Sequence, residues 1–135
     1  MRSAPKPRSK YYMSRTSNAD LNLANLPPPG LVSIIHRISG ALLFFPAIPI
    51  LLYVLQSSLT SEEGFQHWKQ FFAMPLVKLV VIGFVWLYAH HFYAGIRYLL
   101  LDMHIGIAKE PARNSAVVVL VLGLVTAALI GWCLW

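Results

Sequence analysis

The sequence has 135 residues, of which 57% are hydrophobic and 12% are charged. A soluble domain of this size needs more charge on its surface, so the composition predicts a protein of the lipid bilayer. The only cysteine, Cys133, excludes an internal disulfide and a thiolate metal cluster within the chain. The net charge is +6, but five of the eleven Lys and Arg residues lie in the first fifteen positions. A basic tail against anionic lipid explains this pattern better than a nucleic-acid platform.

Three stretches carry no formal charge: residues 38–55, 79–96 and 116–135. Each is close to the roughly 17 to 25 residues that a spanning helix needs. We therefore predict an all-α membrane protein with a three-helix transmembrane domain over residues 31–135. Its helices are expected at about 31–56, 75–102 and 115–135. The basic segment 1–30 precedes them, because three consecutive prolines at 27–29 should delay the helix until about Leu31.

The distribution of charge predicts how the chain crosses the bilayer. The tail and the 97–113 loop are basic, whereas the 57–73 loop contains two glutamates and one lysine. The positive-inside rule then places the N-terminus inside and the C-terminus outside. The 57–73 loop also has aromatic residues spaced by three or four, which is typical of an amphipathic helix at the interface.

A polar cluster marks the first predicted span. Ser33, His36, Arg37 and Gly40 are spaced by three and four residues, so they share one face of a helix. An ordinary charged helix flank would explain Arg37 and is the commoner arrangement in membrane proteins. It would not explain the serine one turn before Arg37 or the glycine one turn after it. The cluster is therefore a candidate binding surface.

The second predicted span contains two adjacent histidines. His91 lies roughly 9 Å deeper than Arg97 along the helix, and it shares its face with Gly95, so we expect His91 to face inward. His90 shares its face with Arg97 instead. A porphyrin needs an axial imidazole, a gap beside it and basic groups for its carboxylates. His91 and Gly95 could supply the first two, and Arg97, with His36 and Arg37 at a similar depth on the first span, could supply the third. Both histidines could equally serve only to pack helices through hydrogen bonds.

Two motifs resemble those of a known family. Residues 33–39, SIIHRIS, resemble the S-x-x-H-R-x-[ST] signature of the cytochrome b membrane-anchor subunit of succinate dehydrogenase. His91, the Gly95-Ile96-Arg97 run and Asp102 match the family's H-x-x-x-G-I-R followed by D. The resemblance covers nearly the whole chain from about Arg15. The departures are Thr16 for a usual proline, Tyr98 for a usual histidine or phenylalanine, and His104 for a usual small residue.

The resemblance implies a role for each matching residue. His91 would be one axial ligand of a b-type haem, whose other ligand would come from a second small membrane-anchor subunit. His36 and Arg37 would contact the haem propionates, and Ser33 with Arg37 would border the ubiquinone site beside the iron–sulfur subunit. The chain would be one part of a hetero-oligomeric helix bundle that passes electrons from succinate to quinone. It would hold no complete active site, because a flavoprotein subunit oxidises succinate.

We expect the chain to lie in the bacterial inner membrane, with its N-terminus in the cytoplasm, rather than in the mitochondrial inner membrane. The expected partners are the second anchor, the iron–sulfur subunit, the flavoprotein subunit and lipid, without nucleic acid. A cofactor-free anchor or assembly protein is the alternative from another class. A proton-conducting subunit would need acidic residues within the bilayer, and the only candidate is Asp102 at a helix end.

Overall fold

The computed structural model describes residues 26–135, so nearly all of the predicted basic segment 1–30 lies outside the described residues. The described residues form helices joined by short connections. In chain order these are α1 (Pro28–Leu42), a π-helical segment (Leu43–Ala47), α2 (Ile48–Thr60), α3 (Glu62–Ala73), α4 (Pro75–Asp102) and α5 (Lys109–Leu134).

Within residues 26–135, three helical units are long and apolar enough to cross a bilayer. The first joins α1, the π-helical segment and α2 into one span, Pro28–Thr60, of 33 residues. The other two are α4 with 28 residues and α5 with 26. The prediction of an all-α membrane protein with three transmembrane helices is confirmed.

Two helices begin earlier than predicted, and proline explains both differences. The first span starts at Pro28, three residues before Leu31, because proline fits the first turn of a helix, where its missing N–H has no partner to lose. Helix α5 starts at Lys109 rather than near residue 115, and Pro111 lies in its first turn. Proline in these positions marks a helix start, not a region that excludes helix.

Proline also shapes the middle of the first span. Pro46 lies inside the π-helical segment. Because proline cannot donate its backbone hydrogen bond, the regular ladder is interrupted there, and a wider turn accommodates the break. The interruption takes the form of a π-helical segment within a continuous span.

Helix α3 connects the first two spans. The Ser61 hydroxyl accepts a 3.0 Å hydrogen bond from the Gly64 backbone N–H, which caps the helix start. Glu62 and Glu63 lie in its first turn, where negative charge complements the helix dipole. The aromatic residues of α3 contact one another, as Trp68 and Phe71 do with ring centroids 5.5 Å apart.

The core lies where α1, α4 and α5 meet. Val32, Ala94, Ala116 and Val119 form a buried cluster of mostly small residues. Small side chains allow helices to approach closely in a membrane, where no hydrophobic effect drives them together. A hydrogen bond of 3.0 Å between the hydroxyls of Tyr93 and Thr126 also joins α4 to α5.

Candidate functional site

Two histidines meet between α1 and α4. The imidazoles of His36 and His91 are stacked, with ring centroids 4.3 Å apart and planes inclined by 13°. Each ring lies near a glycine of the opposite helix. A Cβ on Gly40 would lie only 2.9 Å from Cε1 of His91, and a Cβ on Gly95 would lie 3.9 Å from Nε2 of His36. The absence of a side chain at Gly40 therefore makes room for the His91 ring.

Hydrogen bonds orient the His91 ring. Its Nδ1 lies 3.2 Å from the His36 carbonyl oxygen and 3.2 Å from the Ser39 hydroxyl. A carbonyl oxygen only accepts hydrogen bonds, so Nδ1 carries the proton and donates it. The Ser39 hydroxyl donates to the same carbonyl at 2.9 Å. In a neutral ring the lone pair then lies on Nε2, which has no hydrogen-bond partner among the described residues and can bind a metal ion.

His90 has different surroundings. It is 0% exposed, and neither ring nitrogen has a hydrogen-bond partner within residues 26–135. A Cβ on Gly123 of α5 would lie 3.5 Å from the Cα of His90, so the two helices almost touch there. The expectation that His91 is the inward-facing histidine was wrong for this chain. Helix α4 turns its most buried side toward α5, and that side contains His90, whereas His91 is half-buried beside α1.

Arg97 lies on the same buried side of α4 as His90, and not on the side of His91. It is 6% exposed, its Nε donates to the Ser115 hydroxyl at 3.0 Å, and its Nη2 donates to the Ala112 carbonyl at 3.1 Å. Both partners belong to α5. The idea that Arg97 would neutralise a ligand bound at His91 was therefore wrong, because its side chain is committed to the opposite seam of α4.

The polar cluster of α1 is only partly brought to α4. His36 and Gly40 contact α4, whereas Arg37 is exposed and Ser33 is half-buried. Neither Ser33 nor Arg37 makes a side-chain hydrogen bond with the described residues, so both can contact groups outside the chain. One part of the cluster therefore packs against α4, and the other part lies at the surface of the described residues.

Ser39 is the residue that sequence reasoning missed. It is fully buried and links the carbonyl of His36 to Nδ1 of His91. A signal was present, because Ser39 occupies the last position of the S-x-x-H-R-x-[ST] pattern, three residues after His36. That spacing places its hydroxyl within reach of the carbonyl one turn earlier.

Comparisons with known proteins identify the family of this chain. Residues 12–130 match the family described as succinate dehydrogenase/fumarate reductase transmembrane subunit. The chain is 34% identical over 122 residues to the succinate dehydrogenase cytochrome b556 subunit of Coxiella burnetii, covering 90% of this chain and 97% of that one. It is 28% identical over 127 residues to the protein of the same name from Rickettsia felis, covering 93% and 97%. The chain belongs to the family of succinate dehydrogenase/fumarate reductase transmembrane subunits.

Proposed function

We propose that this chain is a membrane-anchor subunit of succinate dehydrogenase that supplies one axial ligand, His91, to a b-type haem. The second ligand would come from the other small anchor subunit of the complex. Both relatives are named cytochrome b556 subunits of succinate dehydrogenase, which supports a haem in the complex. When bound, the haem supplies reversible one-electron transfer.

The observation that carries the proposal is the hydrogen bonding of His91. A metal-ligating histidine typically donates its other ring N–H to a carbonyl or carboxylate, which holds the ring orientation and the tautomer. Nδ1 of His91 has such a partner in the His36 carbonyl, 3.2 Å away. Its Nε2 is left for the iron, and the half-buried ring lies at the edge of the chain, where a partner subunit can approach. His90 is enclosed on all sides and offers no such approach.

His36 and Arg37 are proposed to hold the haem propionates. His36 lies against His91, and Arg37 follows it on α1 with an exposed guanidinium. A guanidinium pairs well with a carboxylate through two parallel hydrogen bonds. Arg37 would thereby supply the positive charge that propionates need at the membrane boundary.

Ser33 and Arg37 are proposed to form part of the ubiquinone site. They are one helical turn apart, and neither donor is occupied by the described residues. The Ser33 hydroxyl and the Arg37 guanidinium can donate to a quinone oxygen, and the cation favours the negative charge that develops during reduction. Electrons would arrive through the iron–sulfur subunit from the flavoprotein subunit, where succinate is oxidised. We place the complex in a bacterial inner membrane, with the N-terminus of this chain in the cytoplasm.

The haem assignment is tested by comparing the adjacent histidines. His91→Ala should abolish or strongly alter the reduced-minus-oxidised b-type spectrum of the purified complex, because the iron loses a ligand. His90→Ala should leave that spectrum in place, since His90 is buried inside the chain, where Gly123 of α5 lies against it. An unchanged spectrum in His91→Ala would refute the assignment and favour a cofactor-free anchor. Loss of haem in His90→Ala alone would identify the other histidine as the ligand.

The quinone assignment is tested by separating two activities. Ser33→Ala and Arg37→Ala should lower succinate:ubiquinone activity by about tenfold or more, since each removes a hydrogen bond to the quinone. Succinate oxidation with a soluble artificial acceptor should stay unchanged. Ser58→Ala is the matched control, because Ser58 lies on the same span and bonds only the Val54 carbonyl. Equal loss of both activities would indicate defective assembly and contradict the assignment.

A further inference from the structure

A groove runs along the seam between α4 and α5 and has no role in the proposed function. It has a volume of about 400 Å³ and an almost entirely apolar lining. Its walls include Tyr93, Ile96 and Leu100 of α4 and Pro111, Val118 and Leu122 of α5. The groove is apolar, as a site for a hydrocarbon chain must be.

A buried cation lies in the wall of this groove. Arg97 lines it with 6% of its surface exposed. All its observed partners are uncharged: the Ser115 hydroxyl, the Ala112 carbonyl and the ring of Tyr98. A guanidinium has five N–H donors, and two are used in these hydrogen bonds. A positive charge in an apolar setting is costly unless an anion accompanies it, so the remaining donors favour an anionic ligand.

The position of Arg97 indicates where the anion comes from. Arg97 is five residues from the end of α4, on the side of the membrane where α5 begins with Lys109 and contains exposed Arg113. At this depth the guanidinium can reach the level of lipid phosphates, while the groove continues toward the hydrocarbon. Phosphate and acyl chain belong to one molecule in a phospholipid, which matches a cation and an apolar wall in one groove.

The groove also opens away from the face assigned to the second anchor subunit. At 100° per residue, Ile96 and Leu100 lie roughly 140° to 180° around α4 from His91. This step rests on the proposed function, in which the second anchor subunit covers the His91 face. The opposite face is then left to lipid.

We propose that the groove binds one anionic phospholipid, with its phosphate on the Arg97 guanidinium and one acyl chain along the α4–α5 seam. The headgroup charge would neutralise Arg97, and the acyl chain would cover apolar surface that α4 and α5 leave open.

The test counts lipid on the intact four-subunit complex. Purified complexes are stripped of lipid in detergent and given phosphatidylglycerol, phosphatidylcholine or inorganic phosphate, and bound molecules are counted by native mass spectrometry. Val118→Trp fills the groove, and Val121→Trp is the matched control, since the two valines are 53% and 52% exposed and only Val118 lines the groove. Arg97→Gln removes the charge, with exposed Arg113→Gln as its control.

We expect wild type and Val121→Trp to hold one phosphatidylglycerol more than Val118→Trp. Arg97→Gln should weaken phosphatidylglycerol binding by about tenfold, the loss expected for a charge-assisted hydrogen bond, and Arg113→Gln should not. If the Arg97→Gln complex fails to assemble, the number of phosphatidylglycerol molecules bound to the Val118→Trp complex tests the proposal by itself.

Four results would overturn the proposal. The first two are equal numbers of bound phosphatidylglycerol in Val118→Trp and wild type, and retention of phosphatidylcholine equal to that of phosphatidylglycerol. The third is displacement of the lipid by inorganic phosphate alone, and the fourth is loss of a subunit from the Val118→Trp complex, which would identify a protein as the occupant of the groove. The count is independent of the haem assignment. A wrong axial ligand changes the result for His91→Ala and leaves the lipid count of Val118→Trp unaffected.

Discussion

At the candidate site, the His91 ring of α4 lies so near Gly40 that a Cβ added there would be 2.9 Å from Cε1. Gly40 lies on α1, so the room for the His91 ring is made by the helix opposite to its own. Helical spacing alone assigns that role to Gly95, one turn from His91 on α4, and Gly95 instead lies near His36. Each glycine therefore lies near the histidine of the other helix. The sequence could not predict these contacts, because helical spacing within α4 contains no information about how α1 crosses it.

Gly40→Ala should displace the His91 imidazole. The added Cβ would lie 2.9 Å from Cε1, too close for an undisturbed ring, so the ring must tilt and its hydrogen bonds to the His36 carbonyl and Ser39 must lengthen. We expect a lower haem content or a shifted b-type spectrum in the purified complex.

Gly83→Ala is the matched control for Gly40→Ala, because a Cβ on Gly83 meets nothing within 4 Å. Alanine is favoured over glycine inside a helix by roughly 1 kcal/mol, so Gly83→Ala should be neutral or slightly stabilising. Indistinguishable spectra for the Gly40 variant and wild type would show that the ring is not confined by α1.

At the scale of helices, α4 and α5 make the most extensive contact within residues 26–135. Gly123 of α5 lies over the backbone of His90, and Gly131 lies near the side chain of Ile82. The motif of α4 could be read from the sequence, but its buried side could not, because apolar residues surround the whole helix and leave no clear hydrophobic stripe. Small residues on α5 decided which side of α4 is buried.

Substitutions at Gly123 should therefore have a graded effect. A Cβ there would make ordinary contact with His90, at 3.5 Å, so Gly123→Ala should be tolerated. Gly123→Leu should push α4 and α5 apart and lower the free energy of unfolding of the complex by about 1 to 3 kcal/mol, the cost of an overpacked contact.

The thermal unfolding midpoint of the purified complex measures the effect at Gly123. Gly83→Leu serves as the control, because position 83 is open in this chain. A Gly123→Leu complex as stable as wild type would mean that the α4–α5 contact is looser than described.

At the scale of the whole molecule, the three described spans place the start of α1 and the end of α5 on opposite sides of the membrane. Cys133 is the only cysteine and is exposed near the end of α5, which makes it a native probe of orientation. With the N-terminus inside, a membrane-impermeant maleimide should label Cys133 in right-side-out vesicles and not in sealed inside-out vesicles.

Two engineered cysteines control the labelling experiment. In a Cys133→Ser background, Glu63→Cys on α3 should be labelled from the same side as Cys133, and Lys109→Cys at the start of α5 from the other side. The reverse pattern would show that the positive-inside rule gives the wrong orientation for this chain.

The sequence by itself determined that the chain crosses the bilayer three times, because the thickness of the hydrocarbon sets the length of an apolar run and three such runs are present. It also singled out Ser33, His36, Arg37 and His91, since polar residues are rare in such runs and their spacing follows the helical repeat. Only the tertiary structure decided that His90 is the buried histidine, that Gly40 rather than Gly95 makes room for His91, and that Arg97 lies on the α5 seam. The physical reason is that helix crossings depend on where small residues of different helices meet, and no single helix contains that information.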